Sequence, residues 1–572
     1  MLVVGGGTAG MMAAISAADA GASVIIAEKA NTKRSGAGAT GNDHFQCYIP
    51  EVHGTLDEFM KLYMHDRPGP AACKDMDLVR AFVNESFDLV QLWESWGIPM
   101  RPHGYWEFTG HTLPWIKSTH LKYAGVNQKP VFTREALKRG VKILNHHPLS
   151  ELIVDDKGAV CGAVLVDLTA DPPRLQVIRA KSVILCTARA SRLTGDNRIG
   201  WASFSPNDGV GTSAAYKIGA RICNAGVTGC ESGPTIAVSR YFDSGGTRTW
   251  VGTYTDIHGK PYAPFGSTTT YDVLDPGTPG EPHEITWPTW ETGDYTQYLP
   301  ENTMKSAYAQ GKPVFMNFSY NTEEDTEYMK WALVHEGCSA ILQHLKDENF
   351  DFKRKMLEFA TARNSGGGKA GGPDVINARQ ETTVAGLYAA GECIGNNLPG
   401  LSPAAVGGYI AGRNAAAYAK TRPFCPAEKS AVVDACAERF SGYLGNELSA
   451  ASPTWEEINI AIIQVMWDYC SSGILSDELF DVGWSHLKRI EGKMKDMQAG
   501  SPHDLMECMA VESVAQNAEI AMTAGRARKE SRGNYKYAGY PEPNRDYDGK
   551  YFTVRKIDGQ PVAGLRPYRT EG

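Results

Sequence analysis

The residues best suited to chemistry stand at the start of the chain, where Gly5, Gly7 and Gly10 have the spacing G-x-G-x-x-G. Glycines at this spacing allow a tight turn and a close backbone approach, so that a helix N-terminus can face a pyrophosphate. A carboxylate about twenty positions further on can accept hydrogen bonds from an adenosine ribose, and Glu28 stands there. The pattern predicts a dinucleotide site that includes Gly5, Gly7, Thr8, Ala9, Gly10, Glu28 and Lys29.

Apolar runs on both sides of the glycines indicate the elements that position them. Residues 2–4 are typical of a buried strand, residues 11–20 of a helix with small and apolar side chains, and residues 23–27 of a second buried strand. A purely structural βαβ unit with a glycine-rich turn is the alternative interpretation. Glu28, at the end of the second strand, favours the nucleotide site.

Two further stretches favour FAD over NAD. Residues 35–41 form a loop of small side chains, whose backbone amides can approach a flat ring and a second part of the pyrophosphate. Residues 382–393 are typical of a strand that ends in a glycine and an acid, and residues 404–413 of a small-residue helix. Two separated segments of this kind suit the extended FAD molecule better than NAD. The contacts they add to the prediction are Ser35, Gly36, Gly38, Ala39, Thr40, Gly41, Gly391, Glu392, Ala404 and Ala405.

The composition excludes several classes of function. A chain of 572 residues predicts about two to four domains, and its net charge of −8 argues against nucleic acid as a partner. No apolar run approaches the roughly 20 residues that a membrane span needs. The 12 cysteines show neither a C-x-x-C pair nor the spacing of metal ligands. We therefore expect a reduced, cytoplasmic protein without a metal site, and any iron–sulfur cluster on another chain.

Several separated stretches carry a resemblance to a known family. They are R-S-G at 34–36, A-K-S-V-I-L-C-T-A at 180–188, N-D-G-V-G at 207–211, G-L-Y-A-A-G-E at 386–392, and K-E-S-R-G at 529–533 with Y-P-E-P at 540–543. With the opening glycines, they make the sequence similar to the flavoprotein family of succinate dehydrogenase, fumarate reductase and L-aspartate oxidase. Within that family, the branch of adenylylsulfate (APS) reductase α subunits is resembled most, at residues 35–41, 93–99 and 310–316.

The resemblance implies an α/β fold with a Rossmann-like FAD-binding domain, an inserted α+β capping domain and a C-terminal helical domain. We expect the FAD-binding domain at residues 1–225 and 350–425, the capping and substrate domain at 226–349, and the helical domain with an extended tail at 426–572. A ferredoxin-like iron–sulfur protein is the implied partner, and the oligomeric state stays open. The resemblance also implies FAD contacts from Thr187, Ala188, Asp208 and Ser402.

Departures from the family pattern bear on the substrate. Gly36 stands where members of membrane complexes carry the histidine that is covalently tied to FAD, so we expect non-covalent FAD. Thr296 stands where fumarate chemistry uses a proton-donating arginine, and the family's carboxylate-clamping arginine is also replaced. A dicarboxylate needs such cations to offset the desolvation of two charges, so we expect no activity on fumarate or succinate. The residues typical of APS chemistry are likewise replaced, with Gln46 as the nearest match to their asparagine.

The segment assigned to the cap offers aromatic side chains instead. Residues 241–298 contain many tyrosines and tryptophans and few basic groups. Such side chains suit a ring-containing, enone or phenolic substrate, although ordinary core aromatics are the alternative. Two other functions stay open, an APS-type sulfur-oxyanion oxidoreductase and a non-catalytic flavin electron-transfer subunit. For a two-electron FAD oxidoreductase, the predicted catalytic residues are Arg240, His120, Lys122 and Tyr295.

Overall fold

The computed structural model describes residues 1–65, 73–108, 119–194, 207–226, 253–259, 312–319, 323–335, 339–359, 371–396, 398, 400–427, 430–445, 452–470, 474–532 and 535–570. The predicted catalytic residues Arg240 and Tyr295 lie outside these ranges, as do most of the aromatic side chains predicted for the cap. His120, Lys122 and all the predicted FAD contacts lie within them.

The strands of the described residues are short, and most belong to the first half of the chain. They are β1 (Leu2–Val4), β2 (Ile25–Glu28), β3 (His44–Gln46), β4 (His120–Lys122), β5 (Lys142–Asn145), β6 (Leu149–Val154), β7 (Val160–Asp167), β8 (Arg174–Arg179), β9 (Val183–Leu185), β10 (Ile222–Cys223), β11 (Thr253–Thr255), β12 (Val314–Asn317), β13 (Met356–Phe359), β14 (Gly372–Pro373), β15 (Leu387–Ala389), β16 (Lys550–Ile557) and β17 (Gln560–Pro567).

The longest helix of the described residues is α13, near the C-terminus. They are α1 (Thr8–Asp19), α2 (Pro50–His53), α3 (Leu56–His65), α4 (Met76–Ser95), α5 (Gln128–Lys138), α6 (Val210–Lys217), α7 (Glu323–His335), α8 (Ser339–Asp347), α9 (Leu401–Lys420), α10 (Ala431–Gly445), α11 (Trp455–Cys470), α12 (Asp477–Met494) and α13 (Pro502–Ala527).

A parallel sheet of five strands, in the order β15-β9-β1-β2-β5, forms the centre of the nucleotide-binding part. Strands β1, β9 and β15 are fully buried, as expected of short apolar runs covered on both faces. β1 pairs in parallel with β2 on one side and with β9 on the other. The chain passes from β1 to β2 through α1, which agrees with the βαβ unit predicted from the glycines.

Helices α1 and α9 pack against each other through small residues. A Cβ on Gly408 would lie 2.1 Å from the carbonyl oxygen of Ala9, and a Cβ on Gly412 would lie 2.2 Å from that of Ala13. The two helices are therefore in backbone contact, which glycine permits because it has no side chain. This contact holds α1, and with it the glycine turn, against the sequence-distant helix α9.

Smaller antiparallel sheets surround this centre: β6-β7-β8, β11-β12-β13, β14-β10-β16-β17 and the two-stranded ribbon β3-β4. The C-terminal tail, predicted as extended, folds into the hairpin β16–β17, and β16 pairs with β10. Asp558 and Gly559 close the hairpin with positive φ angles of 49° and 76°. An Asp-Gly pair between two apolar runs is a strong hairpin signal, so the turn was readable in the sequence.

Helices α11, α12 and α13 form a bundle with its own buried core. The hydroxyls of Ser476 and Ser501 cap α12 and α13 by accepting hydrogen bonds from the backbone N–H groups of Leu479 and Asp504. Their helical periodicity is visible in the sequence, within residues 426–572, for which the resemblance implies a helical domain. None of the helices in the described residues is long and apolar enough to cross a membrane.

Candidate functional site

One cavity lies at the carboxyl ends of the parallel strands. Its lining includes Gly5, which follows β1, Lys29, which follows β2, Cys186, which follows β9, and Ala390, which follows β15. Ligands of open α/β sheets bind outside the carboxyl ends of the strands, so this is the position expected for a nucleotide.

The N-terminus of α1 faces this cavity. Gly7 is its N-cap residue and lines the cavity, and no side chain caps the helix. A Cβ on Gly7 would meet nothing within 4 Å, so the space in front of the turn is open. The Thr8 hydroxyl is buried and has no hydrogen-bond partner among the described residues. Uncapped backbone N–H groups and an unused hydroxyl beside open space fit a bound pyrophosphate.

Gly10 plays a different part from the other two glycines. It does not line the cavity, and a Cβ on it would lie 1.8 Å from the carbonyl oxygen of Gly5. The third glycine therefore lets α1 pack directly on the end of β1. This is a packing role for the motif residue.

Glu28 holds the glycine turn in place through its carboxylate. One carboxylate oxygen accepts a hydrogen bond from the backbone N–H of Gly6 at 2.5 Å, and the other from that of Ala30 at 2.8 Å. Glu28 is buried and lines the cavity. A carboxylate has about four acceptor positions, so capacity remains for a ribose hydroxyl.

A buried lysine that the sequence reasoning missed joins this turn. Lys129 on α5 donates a hydrogen bond from Nζ to the carbonyl oxygen of Gly6 and is 1% exposed. Burial lowers the pKa of Lys129 to about 8, and the charge of Glu28 opposes that shift. Nothing near the glycines in the sequence announces this residue, because it lies on a helix that follows the glycines by more than 100 residues.

Two ion pairs lie along the cavity. Lys29 contacts Asp208 at 2.8 Å, which brings together two residues that were predicted separately. Glu392, also predicted, accepts two hydrogen bonds from Arg189 at 2.7 and 3.1 Å. Arg189 follows the 180–188 stretch directly, but its partner could not be read from the sequence.

The structure brings most of the predicted FAD contacts together around one cavity. Those that line it are Gly5, Gly7, Thr8, Ala9, Glu28, Lys29, Ser35, Gly36, Gly38, Gly41, Thr187, Ala188, Asp208, Glu392 and Ala404. Other lining residues were not predicted, among them His44, His147, Met506 and Met509. The predicted contacts that do not line it are Gly10, Ala39, Thr40, Gly391, Ser402 and Ala405.

The ribbon β3–β4 presents a polar face next to the cavity. His44 pairs with Lys122 across the two strands, and Gln46 pairs with His120. Because side chains alternate along a strand, these four lie on the same face, which we call the ribbon face. The intervening residue of each strand, Phe45 and Leu121, is completely buried on the opposite face.

Hydrogen bonds order the ribbon face. His44 Nδ1 lies 2.7 Å from a carboxylate oxygen of Asp43. Gln46 Nε2 lies 2.8 Å from His120 Nε2, and the two histidine rings are 5.1 Å apart in an edge-to-face arrangement. The backbone N–H of Gln46 donates to the Ser402 hydroxyl at 2.7 Å, so Ser402 supports the ribbon and does not line the cavity.

Helix α7, from the segment predicted as the cap, covers one end of the ribbon face. Lys122 Nζ lies 4.7 Å from the centre of the Trp331 ring and 3.2 Å from a carboxylate oxygen of Glu107. Burial, and then the charge of Lys122, lower the pKa of His335. Of the predicted catalytic residues, His120 and Lys122 thus stand beside the cavity without lining it, and Lys122 is buried under Trp331.

Comparison with known proteins agrees with this architecture. A family model described as "FAD binding domain" matches residues 1–249, and a second, "Fumarate reductase flavoprotein C-term", matches residues 462–562. A search of curated protein sequences finds no match to the chain.

Solved structures share the fold over the whole chain. Adenylylsulfate reductase from Archaeoglobus fulgidus is 19% identical, with a TM-score of 0.77 over 99% of this chain and 95% of that one. Quinol fumarate reductase FrdA of E. coli is 20% identical, with a TM-score of 0.73 over 100% of this chain and 96% of that one. Sdh1 of Mycobacterium smegmatis is 16% identical, with a TM-score of 0.68 over 100% and 94%.

Proposed function

We propose a specific role for this FAD-dependent oxidoreductase, whose chain matches family models of an FAD binding domain and of the fumarate reductase flavoprotein C-terminus. It transfers two electrons between FAD and a small ring-containing, enone or phenolic substrate, and fumarate is not that substrate.

The residues around the cavity suit FAD. The open N-terminus of α1, with Gly7 and Thr8, would hold the pyrophosphate, and Glu28 would hold the adenosine ribose. The loop with Gly36 and Gly41, which also lines the cavity, would lie against the flavin ring. Bound FAD supplies or accepts the hydride, and the remaining work of binding and proton transfer belongs to side chains of the protein.

The proposal for the substrate class rests on the side chains of the ribbon face. Its His44 imidazole lines the cavity, with the paired Gln46 and His120 behind it, and an imidazole suits a carbonyl or phenolic oxygen. Its one cation, Lys122, is already paired with Glu107 at 3.2 Å. A dicarboxylate would need several cations to offset its desolvation, so the face favours a neutral, oxygen-bearing substrate.

We propose that FAD is bound without a covalent link. Gly36 stands where the family's flavin-linking histidine would be, and it lines the cavity with φ at +83°. Acid precipitation of the purified protein should release all of the flavin into the supernatant. Yellow colour that stays in the denatured pellet would contradict non-covalent binding.

The family resemblance also leads us to propose a ferredoxin-like iron–sulfur protein as electron partner, in the cytoplasm. Under anaerobic conditions, mixing with a reduced two-cluster ferredoxin should rapidly bleach the flavin absorbance of the protein. A flavin that this ferredoxin leaves oxidised, while dithionite reduces it, would contradict the proposed partner.

The substrate class is tested by reoxidation of the reduced protein. The flavin is photoreduced anaerobically, and its absorbance is followed by stopped flow after mixing with enones, cinnamate-like acids, quinones, fumarate, or APS. The converse experiment mixes the oxidised protein with phenols, or with sulfite and AMP. Ferricyanide serves as the control, because it should reoxidise any accessible flavin.

Each outcome of this experiment decides between the candidate functions. Fast reaction with a ring or enone compound and none with fumarate is the expected result. Turnover with APS, or with sulfite and AMP, would replace the proposal with APS-type chemistry. Reaction with ferricyanide alone would indicate a non-catalytic electron-transfer subunit.

A further inference from the structure

The Asp43–His44 pair on the ribbon is the feature that reaches beyond the proposed function. We propose that His44 donates and accepts the substrate proton in the two-electron reaction, with Asp43 as the residue that positions it. The inference rests on the proposed function, because it assumes a substrate oxygen or carbon that exchanges a proton at this site.

His44 is the member of the ribbon face that reaches the cavity. It lines the cavity together with Gly41 and Asn42 of the preceding loop, whereas His120 and Lys122 do not line it. Its side chain is 15% exposed and that of Asp43 is 0% exposed. A proton-transfer group needs this combination of access to the ligand and a buried partner that fixes its orientation.

The hydrogen bond to Asp43 selects the working nitrogen of His44. His44 Nδ1 is 2.7 Å from the carboxylate, which acts only as an acceptor, so Nδ1 carries a proton. We therefore assign proton exchange with the substrate to the other ring nitrogen, Nε2. A carboxylate that holds the Nδ1–H tautomer and stabilises the imidazolium is the same device that orients other catalytic histidines.

The ionisable neighbours of His44 leave this role to it. His120, with its ring 5.1 Å away, is engaged at Nε2 by Gln46 at 2.8 Å, so it supports the face from behind. Lys122, opposite His44 on β4, is paired with Glu107. From α7, His335 lies near Lys122, and burial together with that charge lowers the pKa of His335. Asp43 is an anion in direct contact with His44.

The proton balance of the reaction requires such a group. Reduction of a carbon–carbon double bond conjugated to a carbonyl adds one hydride and one proton; FAD, once reduced by the proposed iron–sulfur partner, would supply the hydride. The Nε2–H bond of protonated His44 breaks as a C–H or O–H bond forms on the substrate. The imidazole is left neutral and regains its proton from water. In the oxidative direction, with a para-alkyl phenol, Nε2 would take the hydroxyl proton as the benzylic C–H bond breaks. Its hydride would pass to oxidised FAD, and a quinone methide would form.

The test uses 4-nitrophenol, whose phenolate and phenol forms have different absorption bands. The FAD-loaded protein is titrated with it at a pH just below the pKa of the free compound. Wild type should bind the phenolate form, since Nε2 takes the hydroxyl proton. His44→Gln should bind it as the neutral phenol and about tenfold or more weakly, while its FAD content stays within about twofold of wild type. The exposed His503→Gln on α13 is the matched control and should behave as wild type.

Asp43→Asn provides a second variant that keeps the imidazole. The amide donates to Nδ1, so the proton of neutral His44 moves to Nε2, and the bound nitrophenol should again stay neutral. In reoxidation by an enone that wild type accepts, His44→Gln and Asp43→Asn should each slow the reaction about 10²–10⁴-fold and remove a limb of its pH profile.

The outcomes separate this inference from the function on which it rests. An enone that reoxidises wild type and His44→Gln equally fast, with the same pH profile, overturns the role of His44 and leaves the proposed function standing. A wild type that neither binds 4-nitrophenol nor reacts with any enone or phenol overturns the proposed function and this inference together. Phenolate binding that persists in His44→Gln overturns the inference alone.

Discussion

The turn that faces α1 and the ribbon face border the same cavity but are built in opposite ways. At the turn, the groups that would hold a ligand are backbone N–H groups and small residues within the first 28 positions, braced by Glu28. At the ribbon face they are side chains from two strands, with His44 and His120 separated by 76 positions. The turn therefore depends on the conformation of the backbone, and the ribbon face depends on which side chains the pairing of β3 with β4 brings together.

This difference decides what a mutation can do in each region. Adding a side chain at a glycine that contacts other backbone forces the backbone to move, and this affects folding and FAD binding together. Exchanging a side chain on the ribbon face removes a chemical group and leaves the backbone as it was.

Gly10→Ala should prevent the formation of an FAD-loaded protein. The added Cβ would lie 1.8 Å from the carbonyl oxygen of Gly5, and backbone cannot move away as a flexible side chain could. We expect loss of most soluble, flavin-containing protein, measured by the ratio of flavin to protein absorbance and by the thermal unfolding midpoint.

Gly492→Ala is the matched control for this change. Gly492 lies in α12, where an added Cβ meets nothing within 4 Å, and alanine favours a helix by about 1 kcal/mol over glycine. This control should load FAD fully and unfold at the same temperature or slightly higher. A Gly10→Ala protein that loads FAD as well would break the view that the turn acts through backbone packing.

The contrast also explains what the sequence could reveal. Glycine spacing, Glu28 and the buried runs on either side are local, so the strand, helix and cavity edge at residues 2–28 could be predicted from them. The bundle helices α11 to α13 were predictable for the same reason, because periodicity is a local property. His44 was missed because its significance depends on pairing with β4 and on a buried carboxylate, which no local pattern shows.

Long-range contacts are the other features that the sequence did not reveal. Lys129 reaches Gly6 from α5, and Ser402 supports Gln46 from the start of α9. Ser402 was predicted as an FAD contact because its stretch resembles one in the family, yet in the structure it braces the ribbon. The motif thus indicated the region around the cavity without showing the hydrogen bond that Ser402 accepts there.

Glu28→Gln should weaken FAD binding by about 10- to 100-fold. The glutamine oxygen can replace one acceptor, but its NH₂ group would face the backbone N–H of Gly6 or Ala30, which is also a donor. Loss of a charge-assisted hydrogen bond of this kind costs about 1.5–3 kcal/mol. The change is measured as the FAD dissociation constant, from the quenching of flavin fluorescence on binding.

The exposed residue Glu438 on α10 offers the control for the charge itself, since Glu438→Gln changes the net charge equally and should leave FAD affinity unaltered. If Glu28→Gln bound FAD as tightly as wild type, the turn would be held by backbone geometry alone. The turn would then depend even less on side chains than the hydrogen bonds of Glu28 suggest.

The smallest effect concerns Lys129, a side chain that contacts the backbone of the glycine turn. Burial lowers its pKa to about 8 in the folded protein, whereas an unfolded lysine titrates near 10.4. Above about pH 8 the folded chain therefore binds fewer protons than the unfolded chain, and linkage makes the free energy of unfolding rise with pH in that window. Urea unfolding of the FAD-free protein should show wild type gaining about 1–2 kcal/mol relative to Lys129→Met between about pH 8 and pH 9.5. The buried thiols and phenols titrate alike in both proteins and cancel in the difference. A difference that stays constant with pH would mean that Lys129 keeps its charge beside Glu28, and the glycine turn would then depend on a side-chain ion pair as much as the ribbon face does.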